Sequence, residues 1–242
     1  MVEVGAGLGS LTRALAERGA FVVAVEIDRR LVPALEESAG DLGRVRVEVA
    51  DALSADWSTL LDHPGPWTLA ANLPYNVAVP VIMRLLVDEP RVQRFLVMVQ
   101  REVGERLAAH PGEPQFGAVS LKVAYRTEAR IVRRVSRSVF WPQPNVDSVL
   151  LSMVRRPPPV DVDEDALWTV VDEAFEQRRK TVRNAILRLG IDTDQADRVL
   201  SACGIEGRTR PERLGLVEFA CLARRWLELR RPHAPASGDA GA

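Results

Sequence analysis

Asn72-Leu73-Pro74-Tyr75-Asn76 follows directly on the apolar run Trp67-Thr68-Leu69-Ala70-Ala71. A strand that empties into this stretch sets an amide, backbone carbonyls and an aromatic face at the carboxyl edge of a sheet, where open α/β sheets bind ligands. An amide oxygen beside a carbonyl makes an acceptor pair for an exocyclic NH2 group, and the Tyr75 ring offers a face on which a flat base can stack. The implied chemistry is work on an amino group of a nucleobase, with Asn72, Leu73, Pro74 and Tyr75 as the catalytic set. The same tetrapeptide is also a competent turn, because Asn initiates turns and Pro fixes φ. Its neighbours decide between the two.

Met1-Val2-Glu3-Val4 runs into Gly5-Ala6-Gly7-Leu8-Gly9, and a helical pattern with Leu11, Ala14 and Leu15 on one face follows. This is the first β-α unit of a nucleotide-binding sheet, in which Gly5 and Gly7 let the backbone pass close to a ligand. The second predicted strand, Phe21 to Val25, ends at Glu26, placed to accept hydrogen bonds from both ribose hydroxyls of an adenosine moiety. The third, Val45 to Val49, delivers Asp51, an acceptor for an adenine amino group. Each acid alone also serves as a solvated strand end or a helix cap. Four successive strand ends carrying Gly5 and Gly7, Glu26, Asp51 and Asn72 describe a cofactor site instead. A dinucleotide needs its pyrophosphate held at the loop and helix N-terminus. Glu3-x-Gly5-x-Gly7 with a second acid at Asp51 resembles the class I S-adenosylmethionine fold, whose sulfonium cofactor has no phosphate and suits acidic surroundings. The expected cofactor is S-adenosyl-L-methionine. A nicotinamide-dependent oxidoreductase, the rival on the same loop, leaves Asp51 and the Asn72 stretch without a task.

The elements that must position these residues form an α/β pattern. A helix is predicted from Val79 to Val87, strands at Phe95 to Val99, from Ile131 and at Val149 to Val154, and helices at Glu102 to Ala109 and Phe116 to Tyr125. Phe140-Trp141-Pro142-Gln143-Pro144-Asn145-Val146-Asp147-Ser148 reads as a stiff loop, since each Pro restricts itself and its predecessor. Phe140 or Trp141 is placed to clamp a base. Pro157-Pro158-Pro159 is a linker, followed by helices at Glu164 to Phe175, Arg178 to Leu189, Thr193 to Ala202 and Leu216 to Leu229. The expected fold is a Rossmann-like class I methyltransferase sheet with helices on both faces over residues 1–156, a small helical domain over 160–231 and a disordered tail over 232–242.

Composition bounds the rest. With 47% hydrophobic and 27% charged residues among 242, the chain has an ordinary globular balance. It shows neither a membrane-length apolar run nor a signal peptide, so a cytoplasmic location is expected. His63, His110 and His233 follow no metal-ligand spacing, and no metal is expected. Cys203 and Cys221 lack a Cys-x-x-Cys spacing and read as buried reduced thiols. Net charge is −1, yet residues 81–160 carry 13 basic against 7 acidic side chains, enough for an electropositive face. Arg supplies all but two of the basic residues, which suits phosphate forks, although it replaces Lys throughout the chain.

Several blocks together resemble the ribosomal RNA adenine N6,N6-dimethyltransferases of the small subunit. They are Glu3 to Gly9, Glu26, Asp51, Asn72 to Asn76, Phe140-x-Pro142-x-Pro144-x-Val146-Asp147-Ser148, Phe175-x-x-Arg178-Arg179-Lys180-Thr181-x-x-Asn184 and Arg210-Pro211-Glu212 with Leu214 and Phe219. The likeness runs from residue 1 to about residue 227. It implies two methylations of each of two adjacent adenosines near the 3′ end of small-subunit rRNA, in the subunit or its precursor. It also implies Gly5, Gly7, Glu26, Asp51 and Asn72 on the cofactor, and Tyr75, Phe140, Arg178, Arg179 and Lys180 on the RNA. The Asn72 stretch is shared in looser form with DNA adenine methyltransferases, and antibiotic-resistance methylases of large-subunit rRNA are closer relatives; Arg178 to Thr181 resembles the small-subunit branch. Family members carry a Gln-Asn-Phe-Leu-type segment and a helix ahead of the first strand, so the chain reads as an amino-terminally truncated member. A monomer is expected, and the remaining alternatives are a large-subunit rRNA adenine N6-methyltransferase of the antibiotic-resistance type and a catalytically weak or non-catalytic rRNA-binding assembly factor.

Overall fold

The structure, a computed structural model, describes residues 1–177 and 180–230. Seven strands form one sheet: β1 (Val2–Val4), β2 (Val22–Glu26), β3 (Val45–Val49), β4 (Trp67–Asn72), β5 (Val92–Gln100), β6 (Thr127–Val135) and β7 (Ser148–Arg155). Their order is β3-β2-β1-β4-β5-β7-β6, with β1 to β5 parallel and β7 inserted antiparallel between β5 and β6. Strands covered on both faces read as unbroken apolar runs, and Val22, Val23, Ala24 and Val25 of β2 are all buried. The helices are α1 (Ser10–Glu17), α2 (Val32–Ala39), α3 (Trp57–Leu60), α4 (Ala78–Asp88), α5 (Arg101–Leu107), α6 (Ala118–Arg126), α7 (Glu164–Glu176), α8 (Val182–Arg188), α9 (Thr193–Ala202) and α10 (Leu216–Arg230). This is the α/β class that the strand and helix pattern predicts.

The chain leaves β1 toward β2 and β3 on one side and returns to β4 on the other. That reversal opens a crevice at the carboxyl ends of β1 and β4. Ala6, Ala16, Val22, Ala24 and Leu35 close one face under α1 and α2. At Gly104 of α5 an added Cβ would stand 2.2 Å from Val149 Cγ2, so the missing side chain is what lets this helix lie against β7.

Two compact units divide the chain, Met1–Ala108 with Arg126–Pro157, and Ala109–Tyr125 with the chain from Pro158 onward. The second draws Phe116, Leu121 and Tyr125, which lie ahead of the Pro-rich linker, into one core with Leu167, Val170, Ile186, Phe219 and Leu222. Sequence order alone put residues 109–125 with the sheet; their buried aromatic and aliphatic side chains put them with the later helices. Phe175 sits between Phe116 and Phe219, at ring-centroid distances of 6.2 and 6.0 Å.

Two further expectations are corrected. Cys203, capping α9, and Cys221, on α10, are joined in a disulfide with Cα atoms 5.8 Å apart. Two helices packed side by side bring together residues whose spacing of 18 suggests no pairing. The helix predicted from Arg178 begins instead at Val182, because Thr181 is extended and the Val182 N–H donates to the Thr209 carbonyl at 2.9 Å. Lys180 therefore precedes the helix and does not enter its first turn, while Arg178, Arg179 and the tail call over 232–242 lie outside the described residues. Among the described residues no helix is long and apolar enough to cross a membrane. Among the same residues no group of three or more His, Cys, Asp or Glu is placed to hold a metal.

Candidate active site

The glycine loop is shaped by its neighbours. Gly5 and Gly7 hold φ at +72° and +57°, which side chains rarely adopt, and a Cβ on Gly5 would press on Pro74 Cδ at 3.2 Å. The loop after β1 thus lies directly against the Asn72 loop. Gly5 N–H donates to the Val25 carbonyl at 2.9 Å. Glu26, at the end of β2 and 6% exposed, accepts from the Gly7 N–H at 2.8 Å and, through its other oxygen, from the Asp28 N–H at 2.9 Å. Carboxylate oxygens each have a second lone pair, so Glu26 fixes the loop and keeps acceptor capacity for a ligand.

The Ala50 N–H donates to the Glu26 carbonyl at 3.1 Å, tying the ends of β2 and β3 together. Asp51 follows, exposed, and its Oδ1 accepts from the Leu53 N–H at 2.8 Å. A cavity of about 380 Å3 lies over these strand ends, lined by Gly5, Glu26, Asp51 and Pro74. Its apolar wall includes Ile27 and Leu53, 64% and 38% exposed. Large apolar side chains left open inside a cavity are suited to the faces of a flat ring. Sequence reasoning passed over both, although each follows an acid at a strand end by one or two positions.

Glu3, which the sequence offers as the first acid of the glycine-loop pattern, lies behind the loop. Fully enclosed beside β2 and α1, its carboxylate accepts from the buried Thr12 hydroxyl at 2.7 Å. Burial pushes its pKa up to about 7; the Thr12 bond works against that rise and the nearby Glu26 charge adds to it. The signal in the sequence was an acid inside an apolar strand.

On the other side of Pro74, Asn72 ends β4 with its side chain exposed while Leu73 is 1% exposed and anchors the loop. The Leu73 N–H donates to the Met98 carbonyl at 3.2 Å, and the Pro74 carbonyl accepts from the Val77 N–H at 3.1 Å. Register brings Asn72 opposite Met98 and Gln100 opposite Ser148, so the start of β7 reaches the same sheet edge. There the Tyr75 hydroxyl meets Ser148 Oγ at 2.9 Å, a bond across 73 residues that aims the ring. Asn72, Leu73, Pro74, Tyr75, Phe140 and Trp141 line a cavity of about 290 Å3. Gly5, Gly7, Glu26, Asp51, Asn72, Tyr75 and Phe140 thus fall on one sheet edge around two cavities that share Pro74. Lys180 belongs to the second unit.

Residues 1–218 match the family described as ribosomal RNA adenine dimethylase. A ribosomal RNA small subunit methyltransferase A from Thermobifida fusca (strain YX) is 47% identical over 229 residues, spanning 92% of this chain and 79% of that protein. One of the same name from Moorella thermoacetica is 42% identical over 234 residues, spanning 93% and 81%. Among solved structures, a dimethyladenosine transferase from Plasmodium falciparum superposes with a TM-score of 0.79 at 22% identity, over 94% of this chain and 89% of that one. At that identity the likeness speaks for the fold.

Proposed function

Because the chain belongs to the ribosomal RNA adenine dimethylase family, we propose that it methylates N6 of two adjacent adenosines near the 3′ end of small-subunit rRNA, twice each, using S-adenosyl-L-methionine. The observation that carries this reading is the shared wall at Pro74, which sets a cavity suited to an adenosine-bearing cofactor beside one suited to a base.

The cofactor side fits a cationic group better than a dinucleotide. Glu3, Glu26 and Asp51 place acids near the loop where a pyrophosphate would need donors, and the first two are buried. When bound, S-adenosyl-L-methionine supplies a methyl group activated by its sulfonium. Glu26 would accept from its ribose hydroxyls and Asp51 from its adenine amino group, with Ile27 and Leu53 covering the ring. Gly5 and Gly7 keep the loop free of side chains.

On the substrate side the adenine amine is a poor nucleophile, because its lone pair is conjugated with the ring. In the first transfer Asn72 Oδ1 and one backbone carbonyl accept its two hydrogens and draw the nitrogen toward sp3 geometry; in the second a single hydrogen and one acceptor remain, and each transfer releases one proton to solvent as the methyl leaves sulfur for nitrogen. The Pro74 carbonyl already accepts from Val77, which favours the Leu73 carbonyl as the second acceptor. The remaining contribution is proximity and exclusion of water. Tyr75 and Phe140 replace the stacking a base loses on leaving its helix, roughly 1–3 kcal/mol per contact. Arg178, Arg179 and Lys180 serve as phosphate contacts, with exposed Arg130, Arg133 and Arg134 on β6 as a further basic stretch. The protein works as a monomer in the cytoplasm, without a metal.

Transfer of labelled methyl groups to small ribosomal subunits lacking the modification tests the proposal. We expect incorporation into adenosine as N6,N6-dimethyladenosine and none on subunits already modified. Labelling of large-subunit rRNA instead, or binding without transfer, would overturn it.

A further inference from the structure

Trp141 is 97% exposed. The other tryptophans are placed differently: Trp57, Trp67 and Trp226 are 3%, 5% and 5% exposed, and Trp168 is half-buried with its indole edge-on to Tyr125. Leaving a whole indole in water forfeits burial of one of the largest apolar side chains. A flexible loop would fold it back.

This loop is pinned and cannot fold back easily. At its base the Arg137 N–H donates to Asp147 Oδ1 at 3.0 Å, Arg137 Nη1 donates to the Asn145 carbonyl at 3.2 Å, and the Arg101 N–H donates to the Asp147 carbonyl at 2.9 Å. Pro142 and Pro144 stiffen the segment between. Phe140, one residue earlier, is half-buried and turned toward the Asn72 cavity, whose rim Trp141 completes. Adjacent aromatic residues on one stiff loop therefore have different exposures, Phe140 half-buried in the pocket and Trp141 open to solvent at its rim.

Resting on the methyltransferase reading above, we propose that Trp141 is a stacking platform for the nucleotide adjacent to the target, holding the neighbouring adenosine while its partner occupies the pocket by Asn72. An exposed aromatic face binds bases regardless of identity but holds purines over the largest area. Such a contact is made equally before and during reaction, so its loss raises KM and leaves kcat nearly unchanged. Because Trp141 is uncharged, its removal leaves the salt dependence of subunit binding unaltered.

The test uses the full chain and unmodified small ribosomal subunits. Trp141→Ala should raise KM between about five- and a hundredfold with kcat lowered less than threefold, and Trp141→Phe should restore KM to within about threefold. A second substrate, with the adenosine neighbouring the target replaced by uridine, closes a double-mutant cycle. Trp141→Ala should cost distinctly less on that substrate. Full additivity would show that Trp141 sits against a ribosomal protein or another part of the RNA, and would overturn the proposal. So would an unchanged KM, or a loss confined to kcat. If the unaltered chain transfers no methyl group to any subunit, the methyltransferase reading itself fails, an outcome distinct from all of these.

Discussion

The two cavities that share Pro74 are built in opposite ways. On the cofactor side the acids are fixed by short-range partners: both oxygens of Glu26 and one of Asp51 by backbone N–H groups, and Glu3 by the buried Thr12 hydroxyl. On the substrate side Asn72, Tyr75 and Phe140 are exposed or half-buried, and the ties lie at the rim, where the Tyr75 hydroxyl meets Ser148 Oγ and the Arg101 and Arg137 N–H groups hold Asp147. The difference teaches where each side draws its precision. Small cofactors are bound by a preformed mould, whereas a base extruded from RNA brings surface of its own and needs anchored rims more than a closed wall.

The largest expected effect falls on the substrate side. Asn72→Ala should lower methyl transfer by on the order of a hundredfold or more, by analogy with losing one preorganised group at a reacting atom, while cofactor affinity measured by calorimetry stays nearly unchanged. Turnover surviving within a factor of a few would end the acceptor-pair mechanism and erase the contrast between the cavities.

Next comes the burial stored on the cofactor side. Glu3 has a folded-state pKa of about 7 against 4.5 as its ordinary value, so the native state holds a proton that the unfolded chain releases earlier. Its contribution is fully present below pH 4.5 and is lost as the pH rises to about 7, in total roughly 3 kcal/mol. Urea unfolding of the Glu3→Gln variant should lack this component of the pH dependence; a slope equal to that of the unaltered chain would place the ionised carboxylate in a better-solvated setting.

Glu26→Ala should weaken S-adenosyl-L-methionine by about 1.5–3 kcal/mol, the scale of a charge-assisted bond, and loosen the Gly7 turn as its acceptor disappears. Equal affinity by calorimetry would reduce Glu26 to a loop brace. The smallest effect belongs to Tyr75→Phe. Removing one partner of this part-buried hydroxyl pair costs about 0.5–1.5 kcal/mol of stability, and Ser148→Ala in the same background should add little. Two fully additive losses would show that the pair does not orient the ring.

Much of the cofactor side was legible because its parts are local. Glycines after β1, an acid at the last position of β2 and another two residues beyond β3 need only the parallel-strand rule to converge, since successive β-α units deliver every strand end to one edge. Asn72 was readable for the same reason. Ile27 and Leu53 were not, because an apolar residue at a strand end looks like core until the cavity is seen.

What the chain's residues determined by themselves was the alternation of strands and helices, the glycine turn and the polar group at each strand end, all set by periodicity, φ restriction and donor or acceptor chemistry within a few residues. Tertiary structure alone decided the pairings between distant segments. Ser148 reaches Tyr75 because β7 runs antiparallel beside β5. Cys203 meets Cys221 through the packing of α9 and α10, and Phe116 joins Phe219 in a core assembled from both sides of the linker. Such contacts depend on which surfaces bury one another, and the free energy of burial follows area removed from water without regard to distance along the chain.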